Sequence, residues 1–343
     1  MYEIDFLPVG DETKSGDAIV MRFNRPDTQQ LAHMVIDGGF QQTGPEVVKY
    51  INQHYDTDFI DVVVVSHPDG DHIGGVGEIV RSFGVGTLLI HDLRGHGFTG
   101  RAADAVDELV ALARSRGASV YQPFEGTTAF GGSLLVAGPS EPFYQQMVNE
   151  QIEAEQLVAK GAPRTWRLAE ALARVHAKVL SKFPIEFDFD DAGGDNARNN
   201  SSTVIDLRLA DKRFLFTADA GVDALTPALD YLDRKGRNDI FPNVIQVPHH
   251  GSRHNLDLTT IKRLAGPHTD SHYGAAVVSI SKAAAEDPRY PSPRIANAFG
   301  RRGYKVGVTA GGPICYPSAD ATSRDGWHPI TPLPPLDEEI DDR

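Results

Sequence analysis

The sequence predicts a mixed α/β fold with helices inserted in its middle. Three observations carry this prediction. Short β-branched and aromatic runs, of which Asp61-Val62-Val63-Val64-Val65 is the clearest, end in turns rich in Gly and Asp, the pattern of strands buried on both faces. Segments with apolar residues at helical spacing separate those runs, as in 102–117, where Val106, Leu109, Val110 and Ala113 share one face. Between 143 and about 183 the apolar residues keep helical spacing with no strand signal at all.

The elements follow in order. Alternating apolar positions make strands of 2–9 and 18–23, and 33–36 is a third strand entering the turn Asp37-Gly38-Gly39. A helix covers 45–54. The valine run ends in Ser66-His67-Pro68-Asp69-Gly70-Asp71-His72-Ile73-Gly74-Gly75, and a helix over 78–83 follows. A strand at 87–91 leads to the helix of 102–117, which Gly117 stops. Strands at 119–121 and 134–137 precede the insertion, whose two or three helices break at 161–163. The acidic, Gly-rich stretch 188–200 reads as a loop. Strands resume at 203–209 and 213–217, a helix covers 224–233, and the strand 244–247 runs into Pro248-His249-His250-Gly251-Ser252. A strand at 275–281, a helix opening at Ser292 and a last strand at 304–308 complete the body. Residues 1–142 and 196–322 are therefore one domain, 143–195 a helical insertion, and 323–343 a flexible, Pro-rich, acidic tail.

Composition narrows the functional classes. Among 343 residues, 47 are acidic and 33 basic, so the formal charge is −14. That charge excludes a general nucleic-acid coat protein, which needs a basic face, but not an enzyme that meets a phosphodiester at bound cations. The single cysteine, Cys315, excludes an intramolecular disulfide and a Cys-rich zinc cluster. The first residues show no basic and apolar leader, and no apolar run approaches the roughly 20 residues of a membrane span. The expectation is a cytoplasmic protein without a membrane contact.

Candidate ligands gather where strands end. His67, Asp69, Asp71 and His72 fall within six residues behind the valine strand. Carboxylates packed so closely repel one another unless a cation joins them. An acidic turn would explain an isolated Asp-Gly-Asp, but not one with imidazoles on both sides. Asp219 ends the strand Phe214-Leu215-Phe216-Thr217, and His249 and His250 end the strand 244–247. Alone, Asp219 reads as a helix cap and the histidines as loop residues. All three clusters stand at C-terminal strand ends, where α/β enzymes place their sites.

His-x-Asp-x-Asp-His followed by Ile-Gly-Gly resembles the metal motif of the metallo-β-lactamase superfamily. More narrowly, the order of motifs resembles the soluble metallo-β-lactamase-like domain of the DNA-uptake protein ComEC: Phe6-Leu7-Pro8-Val9-Gly10 with Gly16-Asp17-Ala18, Val35-Ile36-Asp37-Gly38-Gly39, residues 66–75, Asn199-Asn200-Ser201-Ser202, Leu215-Phe216-Thr217-Ala218-Asp219, and 247–252. The resemblance covers the chain except about 143–195 and the tail. It implies a metallo-β-lactamase αββα sandwich with a helical insertion and a centre for two divalent ions. His67 and Asp69 would serve one ion, Asp71 and His72 the other, and Asp219 both. One or both of His249 and His250 would complete the shell or contact substrate. Asp37 would orient a ligand imidazole. Asn199, Asn200 and Ser201 stand where many members carry another histidine, so they are expected to face substrate or a water. Ser252 and Arg253, behind the two histidines, join the substrate-facing set, and Arg253 is the best candidate for a phosphate contact.

Two departures bear on the chemistry. Asp69 replaces the superfamily's usual second histidine, and oxygen in place of nitrogen favours Mn2+ or Mg2+ over Zn2+; Mn2+ or Zn2+, with Mg2+ as a further candidate, are the expected cofactors. Tyr290 stands where relatives carry a histidine before Pro-Ser-Pro, so one ion would be weaker or a phenol would serve the leaving group. The implied function is a metal-dependent phosphodiesterase or nuclease in which Asp71, His249 and His250 act on water and protons at the two ions. Its substrate would be a nucleic-acid or nucleotide phosphodiester. A lactone or thioester hydrolase is the rival enzyme class. A partner-gated module of a DNA-uptake or phage-defence complex, binding a protein or a second copy through the insertion, is the rival non-enzymatic class.

Overall fold

A computed structural model describes residues 1–11, 14–159, 197–325, 327 and 330–342. The strands of the first half are β1 (Tyr2–Phe6), β2 (Gly10–Asp11), β3 (Lys14–Ser15), β4 (Ile19–Asn24), β5 (Leu31–Ile36), β6 (Phe59–Val64), β7 (Gly84–Leu89) and β8 (Ser119–Tyr121). Those of the second half are β9 (Thr128–Ala129), β10 (Leu134–Gly138), β11 (Val204–Leu209), β12 (Lys212–Phe216), β13 (Val244–Gln246), β14 (Gly274–Val278), β15 (Tyr304–Val308) and β16 (Ile314–Pro317).

They form two seven-stranded sheets, ordered β16-β1-β4-β5-β6-β7-β8 and β15-β14-β13-β12-β11-β10-β9, with β2 and β3 as a separate ribbon. Each sheet joins an antiparallel half to a parallel half. In the first, the β5–β6, β6–β7 and β7–β8 pairs are parallel. In the second, β12–β13, β13–β14 and β14–β15 are parallel.

The side-chain alternation of the strands builds four layers. Val62 and Val64 point between the sheets, with Phe6, Phe214 and Phe216. Val63 and Val65 point the other way, with Val47, Ile51, Ile79 and Leu109 of the helices Gly44–His54, Val76–Ser82 and Arg101–Ser115. Leu215 and Ile245 likewise leave the central layer for Leu229, Leu264 and Phe299 of the helices Val222–Arg234, Leu258–Ala265 and Pro293–Gly300. A period of two along each strand thus feeds two apolar layers at once. The result is the αββα sandwich that the sequence predicts. Among the described residues no helix is long and apolar enough to cross a membrane.

Four expectations change. The insertion opens as one helix, Glu141–Ala159, and docks Tyr144 and Val148 into the first sheet's helical layer; the rest of that expectation, residues 160–195, lies outside the described residues. Ala197–Asn200, expected to end a loop, is a helical turn. β16, missing from the sequence reading, pairs with β1 across the whole chain length. The tail expected to be flexible is instead a strap. The Arg324 guanidinium binds Asp5 and lies over the rings of Tyr50, Tyr55 and Trp327. Leu333 N donates to Val306 O at 2.8 Å, the Asn297 side chain pairs with both backbone groups of Leu336, and Ser292 Oγ donates to Asp341 Oδ2 at 2.8 Å. A strap held by scattered polar anchors has no hydrophobic period, so its composition reads like that of a free arm.

Candidate metal centre

The loops that follow β5, β6, β12 and β13 meet at one end of the sandwich. Glycines permit the approach. A Cβ at Gly75 would stand 2.0 Å from Gly38 O, so the Ile73-Gly74-Gly75 turn can lie on the Asp37-Gly38-Gly39 turn only without side chains. A Cβ at Gly16 would meet Asp71 O at 2.7 Å, and Asp17 N donates to that same carbonyl at 3.1 Å.

Asp219 lies at the middle of the cluster. Its Oδ1 is 3.5 Å from His72 Nε2 and 4.0 Å from His250 Nε2; its Oδ2 is 3.8 Å from both His67 Nε2 and His249 Nε2. His250 Nε2 is 3.9 Å from Asp71 Oδ2, and His67 Nε2 is 3.8 Å from Asp69 Oδ2. The six side chains expected from sequence as metal ligands, His67, Asp69, Asp71, His72, Asp219 and His250, and the expected catalytic His249 therefore lie in one continuous set. Its floor is buried: His67, His72 and Asp219 are almost inaccessible, whereas Asp69, Asp71 and His249 keep side-chain exposures of 22, 28 and 35 % at the mouth.

Each imidazole is turned by a partner on its far nitrogen. His72 Nδ1 pairs with Asp37 Oδ2 at 2.8 Å, and His250 Nδ1 donates to Ser279 O at 2.9 Å. His249 Nδ1 is 2.7 Å from Asn255 Oδ1. Ser66 Oγ donates to Asp37 Oδ2 at 2.6 Å, so it accepts from His67 Nδ1 at 3.1 Å. Holding the proton on Nδ1 leaves the Nε2 lone pair aimed inward in all four rings. Asp37 thus reaches two histidines, one directly and one through Ser66, whose backbone N also donates to Asp37 Oδ1 at 2.8 Å.

Five buried atoms at this centre have no hydrogen-bond partner: Asp17 Oδ1, His67 Nε2, His72 Nε2, Asp219 Oδ1 and His250 Nε2. Leaving so many polar atoms unpaired would be costly, and their convergence fits a divalent cation. Asp17, His72, Asp219 and His250 each bring one ligand atom within 4.8 Å of the others, the one such set among the described residues. The field agrees. Burial pushes the Asp17 carboxyl up. Burial alone would also raise Asp219, but His72, His249 and His250 hold it well below the usual carboxylate range. Burial would lower His72, yet the Asp219 and Asp37 carboxylates hold it well above an ordinary imidazole. Burial and the neighbouring His72 lower His67. The carboxylates favour positive charge around Asp219 and His72, while burial opposes charge on Asp17 and His67; the mixed oxygen and nitrogen donors suit Mn2+, Zn2+ or Mg2+.

Asp17 was not among the ligands expected from sequence. Gly16-Asp17 reads as an ordinary turn, and the useful signal is its position, just before the second long strand in a motif shared with the resembled family. Other expectations are redirected. Asn199 does face the cluster, with Nδ2 3.3 Å from His249 Nδ1. Asn200 and Ser201, expected to face substrate, spend their side chains on the fold: Asn200 Oδ1 accepts from Gly221 N at 3.1 Å, and Ser201 Oγ donates to Arg198 O at 2.6 Å. Ser252 Oγ accepts from His254 N at 3.3 Å, capping a short turn. The Arg253 guanidinium, expected on phosphate, holds the Asp341 carbonyl of the strap. Tyr290 stands on the surface at 48 % exposure, two residues before Ser292, whose N donates to Gly251 O. His91 is buried and stacked on Tyr144, so it supports the wall rather than lining it.

Residues 30–148 match the family model of the metallo-beta-lactamase superfamily, a span that holds Asp37, His67, Asp69, Asp71 and His72. That match and the four-layer fold support this superfamily. Zn2+-bound PqqB from Methylobacterium extorquens is 10 % identical, with 93 % of this chain and 100 % of that chain covered at a TM-score of 0.47. A metal-dependent hydrolase of the beta-lactamase superfamily is 12 % identical over the same shares, with a TM-score of 0.46. The metallo-beta-lactamase SMB-1 is 12 % identical over 76 % of this chain and 84 % of that one, with a TM-score of 0.36. No curated protein is a significant match to the chain.

Proposed function

We propose that this protein is a metal-dependent hydrolase of phosphodiesters, a nuclease or nucleotide phosphodiesterase. The observation that carries the reading is the convergence of unpartnered, buried Nε2 and Oδ atoms of His67, His72, His250, Asp17 and Asp219 on one centre. Asp219 presents one oxygen toward His67 and the other toward His72, so it would serve ions held on either side. Divalent ions held there supply Lewis acidity toward a phosphoryl oxygen and acidify water. The ComEC-type order of motifs and the oxygen-rich donor set support phosphodiester substrates over carbonyl ones.

The residues of the chain divide the remaining work. Asp37 and Ser66 fix the imidazoles of His72 and His67. Asp71, 28 % exposed at the mouth with its Oδ2 3.9 Å from His250 Nε2, would hold an ion or the water that the ion acidifies. His249 is the most exposed of the imidazoles, with Nδ1 held by Asn255, so its Nε2 can hold or give up a proton at the leaving oxygen.

The test is cleavage by purified protein with added Mn2+. The panel contains single- and double-stranded DNA, RNA, bis-p-nitrophenyl phosphate and a thioester. Phosphodiester cleavage that is lost in Asp71→Ala is the expected result. Thioester turnover without phosphodiester cleavage, or cleavage that survives the substitution, defeats the reading.

A further inference from the structure

His249 and His250 stand on a turn whose backbone needs support from outside. Both residues have positive φ, 46° and 54°, and Gly251 follows at 77°. Residues other than glycine take that conformation rarely, and they keep it where the surrounding structure fixes them. On its inner side the turn is tied twice. His249 N donates to Ala218 O at 3.1 Å, and His250 Nδ1 donates to Ser279 O at 2.9 Å. Its outer side leans on Pro291-Ser292. A Cβ at Gly251 would stand 2.7 Å from Pro291 Cβ, and Gly251 O accepts from Ser292 N at 3.0 Å.

Asp341 of the strap backs that outer side. It is buried, and its Oδ2 accepts from Ser292 Oγ at 2.8 Å and from Arg294 N at 2.9 Å. Those donors stand at the start of the helix Pro293–Gly300, where the helix dipole favours a carboxylate. The Asp341 carbonyl accepts from the guanidinium of Arg253, three residues beyond His250. One residue thus grips both the chain that leaves the His249–His250 turn and the segment on which the turn rests. Neighbouring anchors of the strap fall elsewhere. Glu338 holds Asn297 and Arg301 at the far end of the same helix, and Arg324 holds Asp5 in the first sheet.

We propose that Asp341 is the outer anchor of the His249–His250 turn, a positioning residue through which the strap sets the affinity of the centre for a divalent ion. Asp341 acts at one remove, through Ser292, Gly251 and Arg253. With its carboxylate removed, Ser292 loses its backing and the turn relaxes toward ordinary backbone. His250 Nε2 then leaves the set it forms with Asp17, His72 and Asp219, whose ligand atoms lie within 4.8 Å of one another. The coupling runs both ways, so holding His250 in place also holds the strap. This rests on the reading that the cluster holds ions, but not on which bond is cleaved.

The probe is Mn2+, with titration calorimetry for affinity and amide hydrogen exchange for the segments 248–256 and 333–342. Three variants of the full chain are compared with the wild type. Asp341→Ala removes the acceptor, Asp341→Asn puts a neutral acceptor in its place, and Glu338→Ala loosens the strap three residues away without touching either tie. Asp341→Ala is expected to weaken Mn2+ binding about five-fold to ten-fold, at the low end for residues that orient metal ligands. It should also speed exchange in 248–256 about ten-fold. Asp341→Asn should stay within about three-fold of the wild type in both readouts, because it keeps the hydrogen bonds without the charge. Glu338→Ala should match the wild type in both. Added Mn2+ should slow exchange in 333–342 of the wild type. Equal losses of affinity in Asp341→Ala and Glu338→Ala would overturn the proposal and leave the strap a general stabiliser. Unchanged exchange in 248–256 of Asp341→Ala would overturn it too, as would faster exchange there with Mn2+ affinity intact. If the wild type binds no Mn2+, the ion reading fails and takes the affinity claim with it, and exchange in 248–256 alone then decides the anchor.

Discussion

The pair formed by Asp37 and His72 shows what one residue does at a distance. Asp37 touches no inward-facing atom of the cluster, yet it keeps the His72 proton on Nδ1. Asp37→Asn would present an amide N–H to that nitrogen and force the proton onto Nε2. Mn2+ affinity is expected to fall about 10–100-fold, as for other residues that orient metal ligands, and titration calorimetry reads it directly. His91 carries a different residue-scale prediction. Burial, with a smaller push from His96, lowers its pKa to about 3. An unfolded histidine titrates near 6.5, so between these values the unfolded chain binds more protons than the folded one. The stabilisation is complete above about pH 6.5 and is lost as pH falls toward 3, at about 1.4 kcal/mol per pH unit within that window. His91→Phe keeps a ring against Tyr144 and removes the proton. Urea midpoints compared from pH 7.5 to 4.5 should move in favour of the variant as the pH drops, and a constant difference would contradict the assignment.

At the scale of elements, the turns decide where the site residues go. The Ile73-Gly74-Gly75 turn rests directly on Asp37-Gly38-Gly39, and Gly38 N donates to His72 O at 2.8 Å. Gly75→Ala would drive a methyl into Gly38 O. The forced separation is expected to cost about 1–3 kcal/mol, read as a lower urea midpoint, and also to weaken Mn2+ binding, because the same turns carry His72 and Asp37. A loss of stability with unchanged metal affinity would show that the two turns are independent. The His249–His250 pair is an element of the same kind. Both residues have positive φ, 46° and 54°, a conformation uncommon outside glycine. The backbone is bent there so that two consecutive side chains can face one cluster, with His249 N donating to Ala218 O.

For the whole molecule, the centre joins the two sheets. Asp17, His67, Asp69, Asp71 and His72 come from loops of the first sheet, and Asp219, His249 and His250 from loops of the second. Ions bound between them would cross-link the halves of the fold. Mn2+ at about 100 times its dissociation constant is expected to add about 2.7 kcal/mol to stability. Chelation should therefore lower Tm and Mn2+ should restore it; a Tm indifferent to Mn2+ would argue against an ion at this place. The strap also ties distant parts of the molecule together. Asp5 is fully buried between Tyr50, Tyr55 and Arg324. Arg324→Ala would strand that carboxylate, with an expected loss of about 3–5 kcal/mol visible in the urea midpoint at constant slope.

By itself the sequence determined the alternation of strands and helices and where the candidate metal-binding side chains stand along the chain. Both are local patterns: the valine run with its His-x-Asp-x-Asp-His loop, and the strand ends at Asp219 and His249-His250, are each readable in one short stretch of chain. Only the tertiary structure decided what lies between distant segments. Asp17 joins the cluster because Gly16 lets its turn close on Asp71, 54 residues later in the chain. Asn200, Ser201, Ser252 and Arg253 have the chemistry of substrate contacts, but their side chains bond backbone groups, those of Ser201 and Ser252 within their own turns and those of Asn200 and Arg253 across the fold. β16 and the strap have no period to reveal them, since β16 and Arg324 of the strap are held by partners hundreds of residues away and the rest of the strap by scattered polar anchors. A sequence shows which groups a chain owns; which of them remain unpaired at a shared centre is settled only when the sheets close on each other.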